Sequence, residues 1–400
     1  MTGTRFPIPI SAFTGITAIG RGRKQIAEAL IVGRCGLRPN DFEDATDVKA
    51  FIGRVAGVEN EHLPESLAPW DCRNHRLAWM ALHQDDFHAM VAATTARVGA
   101  DRVGVFVGTS TSGILDTESM FRQRRTHELE PVGFELRHSL GSVSQFVAVV
   151  LALRGPRHTV STACSSSAKV FATAARYLSS GLCDAAVVGG VDSLCYTTLY
   201  GFGSLELLSV HAARPFAADR SGISIGEGAA FALLDPGTSG SALLFGVGES
   251  SDGHHMSTPH PEGLGAIQAM RDALDSAHLC ADEVDYVNLH GTGTHANDRA
   301  EAMAIAQLFG RSPVCSSTKG ATGHCLGAAG AVEALLCDLA LQDHVIPGNV
   351  GTNRSDPDLP IQVTYATTPA DLRYVLSNSF GFGGSNCSLV LGTATAGGVE

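Results

Sequence analysis

The 400-residue chain has ten cysteines but no Cys-x-x-Cys pair. Neither a zinc ribbon nor a thioredoxin-like redox motif is therefore indicated. No stretch of 18 consecutive apolar residues occurs, which argues against a membrane-spanning helix. The opening MTGTRFPIPISAF has no charged segment followed by a long apolar one. No export signal is read there, and a cytoplasmic protein is expected, with no membrane partner. No G-x-G-x-x-G follows a strand and opens a helix, so the dinucleotide-binding fingerprint is missing. A long basic run is also missing: the densest group is Arg122, Arg124 and Arg125, with Arg137 further on. At a net charge of −12, nucleic acid is a poor partner. A small basic patch on an acidic body can still dock a small acidic partner.

What is present describes a compact chain. Hydrophobic residues make up 44% and charged residues 17%, as in a well-packed globular protein. Most cysteines sit among Ala, Leu, Val and Gly, as buried thiols in a reducing compartment do. Val103–Val107 and Ala185–Val188 are short apolar runs ending at Gly or Ser, the pattern of central strands in a layered α/β protein. Between them, Val170, Phe171, Ala174 and Leu178 recur at helical spacing and predict a helix over Ser165–Ser179. The second half repeats this alternation, with strands over Val284–Leu289 and Ser388–Leu391 and helices over Arg299–Phe309 and Gly327–Leu341. Asp235–Ser241 (DPGTSGS) reads as the junction, giving expected halves of 1–238 and 239–400. No sequence repeat crosses it. The fold class is α/β.

Four motifs carry chemistry. Cys164 lies in Val160-Ser161-Thr162-Ala163-Cys164-Ser165-Ser166-Ser167, at the start of the first helix. A helix N-terminus favours thiolate, and its free N–H groups can hold an oxyanion. The bland alternative is a buried structural thiol. His290 ends an apolar strand and opens His290-Gly291-Thr292-Gly293-Thr294, and His324 closes Ser316-Ser317-Thr318-Lys319-Gly320-Ala321-Thr322-Gly323. A lone loop histidine is usually just solvated. A cysteine with two histidines in glycine-rich turns is a set that can do nucleophilic and acid–base work. No H-x-x-x-H or acidic ligand cluster accompanies them, so no metal is expected. Asn378-Ser379-Phe380-Gly381-Phe382-Gly383-Gly384-Ser385-Asn386 places glycines around two aromatics, either a close-approach site or a turn before the last strand.

Together these segments resemble the β-ketoacyl-(acyl carrier protein) synthases of type II fatty acid and polyketide synthesis. The resemblance rests on VSTACSSS, HGTGT, SSTKGATGHCLGAAGAVEAL and NSFGFGGSN, in that order. It extends to Arg214–Arg220, Gly222–Gly228, TGITAIG and SSDGHHMSTPHPEGLGA, covering nearly the whole chain. It implies the five-layered thiolase fold of two similar halves. It also implies a dimer, either with itself or with a ketosynthase-like subunit, and an acyl pocket running towards the interface.

By motif, the resemblance makes Cys164 the nucleophile that takes an acyl chain from acyl carrier protein. The N–H groups of Cys164 and Phe382 would form the oxyanion hole, and His290 and His324 would assist decarboxylation of malonyl carrier protein. Lys319 would order the site with Glu301, with Asp298 on the same loop. Thr292 and Thr294 would bind phosphopantetheine, Phe380 would contact substrate, and Phe382 would be a gate. Thr111 would be a wall of the acyl pocket. Arg73, Arg76, Arg122, Arg124 and Arg125 fall where the family docks its carrier. No organic cofactor is implied. Gly293, where fatty acid enzymes usually carry serine, and the triple serine after Cys164 are more typical of polyketide ketosynthases. VGTSTSGI and GVDSLCYTTLYGF resemble ketosynthases of aryl polyene clusters. Two rivals remain: a thiolase, which needs a second late cysteine such as Cys387, and a non-catalytic chain-length partner subunit, which typically lacks the first.

Overall fold

A computed structural model describes residues 6–123, 133–310 and 313–397. Its main sheet is built from two sets of five strands. The first is β1 (Ile8–Thr17), β2 (Val103–Gly108), β3 (Arg157–Val160), β4 (Ala185–Asp192) and β5 (Gly228–Leu234). The second is β6 (Ala242–Ser251), β7 (Tyr286–Asn288), β8 (Val314–Ser316), β9 (Tyr374–Gly381) and β10 (Ser385–Thr393). In space the sets run β1-β5-β4-β2-β3 and β6-β10-β9-β7-β8. Pairing senses agree strand for strand: antiparallel, antiparallel, parallel, parallel. The sets meet where β1 and β6 pair antiparallel, with Ile8 opposite Leu244. Asp235–Ser241 connects β5 to β6.

Helices follow the same doubling. In the first set they are α1 (Arg73–Leu82), α2 (Ser142–Val150) and α3 (Ser166–Ser179). In the second they are α4 (Leu264–Ala277), α5 (His295–Phe309) and α6 (Ala329–Asp343). α3 and α6 pack on each other and touch strands of both sets. Every residue of α6 from Ala329 to Leu341 is buried, as a central helix that is apolar nearly all round must be. The core around Phe171, Leu335 and Leu339 lies in this middle layer. Two further cores, around Leu77 and Phe146 and around Met270 and Ile305, cover the outer faces under α1, α2, α4 and α5. The result is the αβαβα layering of the thiolase fold. β2 and β4 are buried along their whole length, which explains their unbroken apolar sequence.

Two helix starts move by more than one residue. The helix expected from Arg299 begins at His295, because the Thr294 hydroxyl accepts the Asn297 N–H and caps it. Gly327 belongs to a short turn, Leu326–Ala328, that precedes α6. These turns matter because both catalytic candidates of the central layer sit in equivalent places: Cys164 between β3 and α3, His324 between β8 and α6. His290 follows β7, and Phe380 and Phe382 lie at the end of β9. All are at carboxyl ends of parallel strands, where open α/β sheets bind ligands.

Candidate active site

The turn holding Cys164 is tight. Ala163 adopts a φ of +52°, and the Ser166 hydroxyl bridges the turn by donating to the Ala163 carbonyl at 2.5 Å and accepting the Thr162 N–H at 2.9 Å. The end of β9 presses against it: a Cβ on Gly381 would lie 2.9 Å from the Thr162 carbonyl and 3.2 Å from the Cys164 nitrogen. Glycine is required there for contact, not for a positive φ. The Phe382 N–H reaches the Cys164 sulfur. The thiol itself differs from the thiolate expected at a helix start. Burial pushes it up to about 11, against the opposing pull of the Lys319 charge and the Phe382 N–H.

His324 Nε2 lies 2.9 Å from Cys164 Sγ, and the His290 and His324 rings meet edge to face at 5.3 Å. Burial, and then the nearby Lys319 charge, hold both imidazoles well below their ordinary value, so both are neutral. Lys319 Nζ lies 3.3 Å from His290 Nδ1. An ammonium donating to Nδ1 leaves the proton of His290 on Nε2. Among the described residues His324 Nδ1 is buried without a hydrogen-bond partner.

Lys319 does not pair with Glu301. Its partner is Glu333, in the middle of α6. Glu301 instead accepts the N–H groups of His290 at 2.8 Å and Gly291 at 2.9 Å, with Asn378 Nδ2 at 3.1 Å. It fixes the His290 turn, and burial pushes its carboxyl up to about 7. Asp298 accepts the Phe216 N–H at 2.8 Å and the Gly293 N–H at 3.2 Å, beside Arg220, and so ties that turn to the 213–220 segment. Glu333 had a signal in sequence: a carboxylate amid the apolar residues of Ala329–Leu336 must be buried against a cation.

Cys164, His290 and His324 open into a cavity of about 410 Å³, also lined by Phe202, Thr292, Thr294, Phe380 and Phe382. The Thr292 and Thr294 hydroxyls lie 3.1 Å apart. The Phe202 and Phe382 rings meet at a tilt with centroids 5.4 Å apart, and the Phe380 ring is 6.0 Å from His290. Thr111 is not on this wall; its hydroxyl donates to Asp192 at 2.7 Å. The three candidate atoms of Cys164, His290 and His324 lie within 4.8 Å of one another, the one such metal-spaced group among the described residues. The ammonium of Lys319 beside them opposes a cation.

The docking arginines separate. Arg73 is buried and bound to Glu227 at 2.6 Å and Glu59 at 2.7 Å, which removes it from any docking face. Arg76 is held by Asp71 at 2.6 and 2.7 Å. The Arg122 guanidinium lies 4.5 Å over the Tyr196 ring. Arg124 and Arg125 lie outside the described residues. Cys387, the cysteine a thiolase reading needs, is buried in β10, away from the cavity lining, and burial raises its thiol.

A buried thiol beside two neutral imidazoles, on a thiolase fold, defines a carbon–carbon condensing enzyme. The β-ketoacyl synthase N-terminal domain matches residues 5–239 and the C-terminal domain residues 241–353. The chain belongs to the β-ketoacyl synthase family, and its activity is that of a β-ketoacyl-(acyl carrier protein) synthase, an acyltransferase. The mitochondrial 3-oxoacyl-[acyl-carrier-protein] synthase of Arabidopsis thaliana is 32% identical over 419 residues, 94% of this chain and 90% of that one. Among solved structures, the ketosynthase ApeO in complex with its chain length factor ApeC, from Xenorhabdus doucetiae, matches at 40% identity and a TM-score of 0.88. That match covers 97% of this chain and 98% of the other. The ishigamide ketosynthase/chain length factor matches at 30% identity and a TM-score of 0.87, covering 97% and 99%. Neither rival reading is favoured.

Proposed function

We propose that Cys164 accepts the acyl chain from acyl carrier protein and that His290 and His324 drive the malonyl half-reaction. The thiolate attacks the thioester carbonyl, and the amides of Cys164 and Phe382 stabilise the tetrahedral oxyanion. The carrier's pantetheine thiol leaves with the proton that Cys164 gave up. Malonyl carrier protein then enters past Thr292 and Thr294. Its carboxylate departs as carbon dioxide. The two imidazoles, neutral and donating through Nε2, stabilise the enolate oxygen. The carbanion attacks the acyl thioester and releases Cys164, and the chain is longer by two carbons. The observation that carries this reading is the 2.9 Å contact of His324 with Cys164 beside a His290 whose tautomer Lys319 sets. The residues 1–238 and 239–400 act as the two halves of one such enzyme.

The pathway and partner are finer readings. The polyketide-type Gly293, the aryl polyene-like segments and the likeness to ApeO favour a polyene chain over an ordinary fatty acid. A second subunit fits along β3, the outer strand of its set among the described residues. Val149 is exposed on α2, which packs against β3, Phe121, Phe134 and Leu140 are exposed as well, and both named structural relatives pair a ketosynthase with a chain length factor. No helix among the described residues is long and apolar enough to cross a membrane, which agrees with a cytoplasmic enzyme. The test is intact mass of enzyme and carrier after mixing with acyl carrier proteins of different chains and then malonyl carrier protein. Acylation of the wild type but not Cys164→Ala, followed by a product two carbons longer, supports the reading. No adduct with any donor overturns it in favour of the chain-length partner.

A further inference from the structure

We infer that Asp192 is the positioning residue of His324 and couples that histidine to the loop carrying Thr111. This rests on the role given above to His324. Asp192 ends β4 and is fully buried. Among the described residues no arginine or lysine pairs with it. Hydrogen-bond donors take its place. Oδ1 accepts the Thr109 hydroxyl at 2.7 Å, the Thr111 hydroxyl at 2.7 Å and the Thr111 N–H at 2.8 Å. The Ser110 N–H is shared between Oδ1 and Oδ2 at 2.9 and 3.0 Å. Oδ2 also accepts the Ser110 hydroxyl and the Gly327 N–H, each at 2.5 Å. A buried carboxylate is tolerated only when its lone pairs are filled in this way. One oxygen thus holds the loop after β2, and the other binds the turn three residues past His324.

His324 needs that anchor. Lys319 orients the His290 ring through Nδ1, but among the described residues His324 Nδ1 has no hydrogen-bond partner. The His324 ring is therefore aimed by its backbone. On one side the backbone is fixed by Ser224 and Gly226, at 2.8 and 2.9 Å. On the other it is fixed by the Leu326–Ala328 turn, through Gly327 and Asp192. The fit there is close: a Cβ on Gly327 would lie 2.7 Å from Asp192 Oδ2 and 2.8 Å from the Ser110 nitrogen.

Asp192→Asn isolates this role. Both oxygens only accept, so an amide must face donors with one nitrogen. Facing it toward Gly327 keeps the larger group of bonds to Thr109 and Thr111 and releases the turn. The experiment compares single-turnover Cys164 acylation, malonyl-carrier decarboxylation and condensation in wild type, Asp192→Asn, Gly327→Ala and Thr109→Ala. Asp192→Asn and Gly327→Ala are expected to keep acylation within a few-fold while kcat for decarboxylation and condensation falls about 100-fold, the size of a misplaced catalytic group. KM for malonyl carrier is expected to stay put, and Thr109→Ala to behave like wild type. Equal losses in acylation and decarboxylation, or the same loss in Thr109→Ala, overturn the inference. If Asp192→Asn does not fold, Gly327→Ala carries the test alone. A wild type that fails to acylate refutes the underlying reading instead, so the two failures are distinguishable.

Discussion

Replacing the buried Lys319–Glu333 pair separates what it does for stability from what it does for chemistry. The two side chains are 2% and 3% exposed, and among the described residues Lys319 Nζ has hydrogen-bond partners only in Glu333 and His290 Nδ1. Glu333→Leu leaves an ammonium in the central layer with no counter-charge, and Lys319→Met leaves a carboxylate. Stranding one charge of a buried pair destabilises by about 3–5 kcal/mol, whereas replacing both by apolar groups of similar volume is about neutral. Each single variant is therefore expected to lower the urea midpoint sharply, and Lys319→Met/Glu333→Leu to recover most of it. Activity should not recover with it. Without Lys319 nothing directs the His290 proton to Nε2, so the double variant should acylate Cys164 yet condense poorly. The assay is urea unfolding by tryptophan fluorescence on all four proteins, with the intact-mass assay run on each. Two results refute the reasoning: a loss under about 1 kcal/mol in both single variants, below what stranding a buried charge costs, or full condensation by the double variant.

Other perturbations test other parts of the site. Arg73→Ala is expected to destabilise by about 3–5 kcal/mol, as a stranded Glu227 requires, while KM for the carrier measured on the folded fraction stays unchanged. Glu301→Gln removes one of two acceptors for the His290 and Gly291 N–H groups. Thermal melting should show about 1–3 kcal/mol lost, and condensation should fall more than acylation. Gly381→Ala drives a methyl onto the Cys164 turn, and iodoacetamide labelling of Cys164 should slow together with acylation. Acid sensitivity has a defined sign. His75, His290 and His324 are all held below their ordinary value by burial, His75 to about 4. Their contribution to stability is fully present above the unfolded histidine value of about 6.5 and is lost as pH falls below it, each by up to about 1.4 kcal/mol per pH unit. Condensation should meanwhile hold its rate at pH 6, since both imidazoles remain neutral in the fold. A rate falling with an apparent value near 6.5 contradicts that.

The chemistry was legible in the sequence because the reacting groups sit in short turns whose neighbours are constrained. Gly381 must be glycine to touch the Cys164 turn, and Thr294 must cap α5, so NSFGFGGSN and HGTGT carry readable residues. The supporting groups were less legible, because their partners lie on distant strands. Asp192 reads as the polar end of an apolar strand until the loop 82 residues before it and the turn 135 residues after it are folded onto it. The assignment of Glu301 to Lys319 failed for a related reason. Proximity in sequence to His290 is not proximity to Lys319, and the carboxylate that faces Lys319 comes from α6, a separate element whose approach to Lys319 only the fold reveals.

The doubled topology explains why these distant contacts fall where they do. Each half places its third strand, a turn and its central helix in the same order, and the two central helices pack together. Equivalent turns therefore converge from opposite halves, and one carries Cys164 while the other carries His324. Neither half contains both groups, and no sequence repeat survives to announce the symmetry. The same reasoning locates Asp192. The end of β4 is the place where the loop after β2, a neighbour in its own set, meets the turn after β8 from the other set. One side chain there can hold the loop of one half and the histidine of the other.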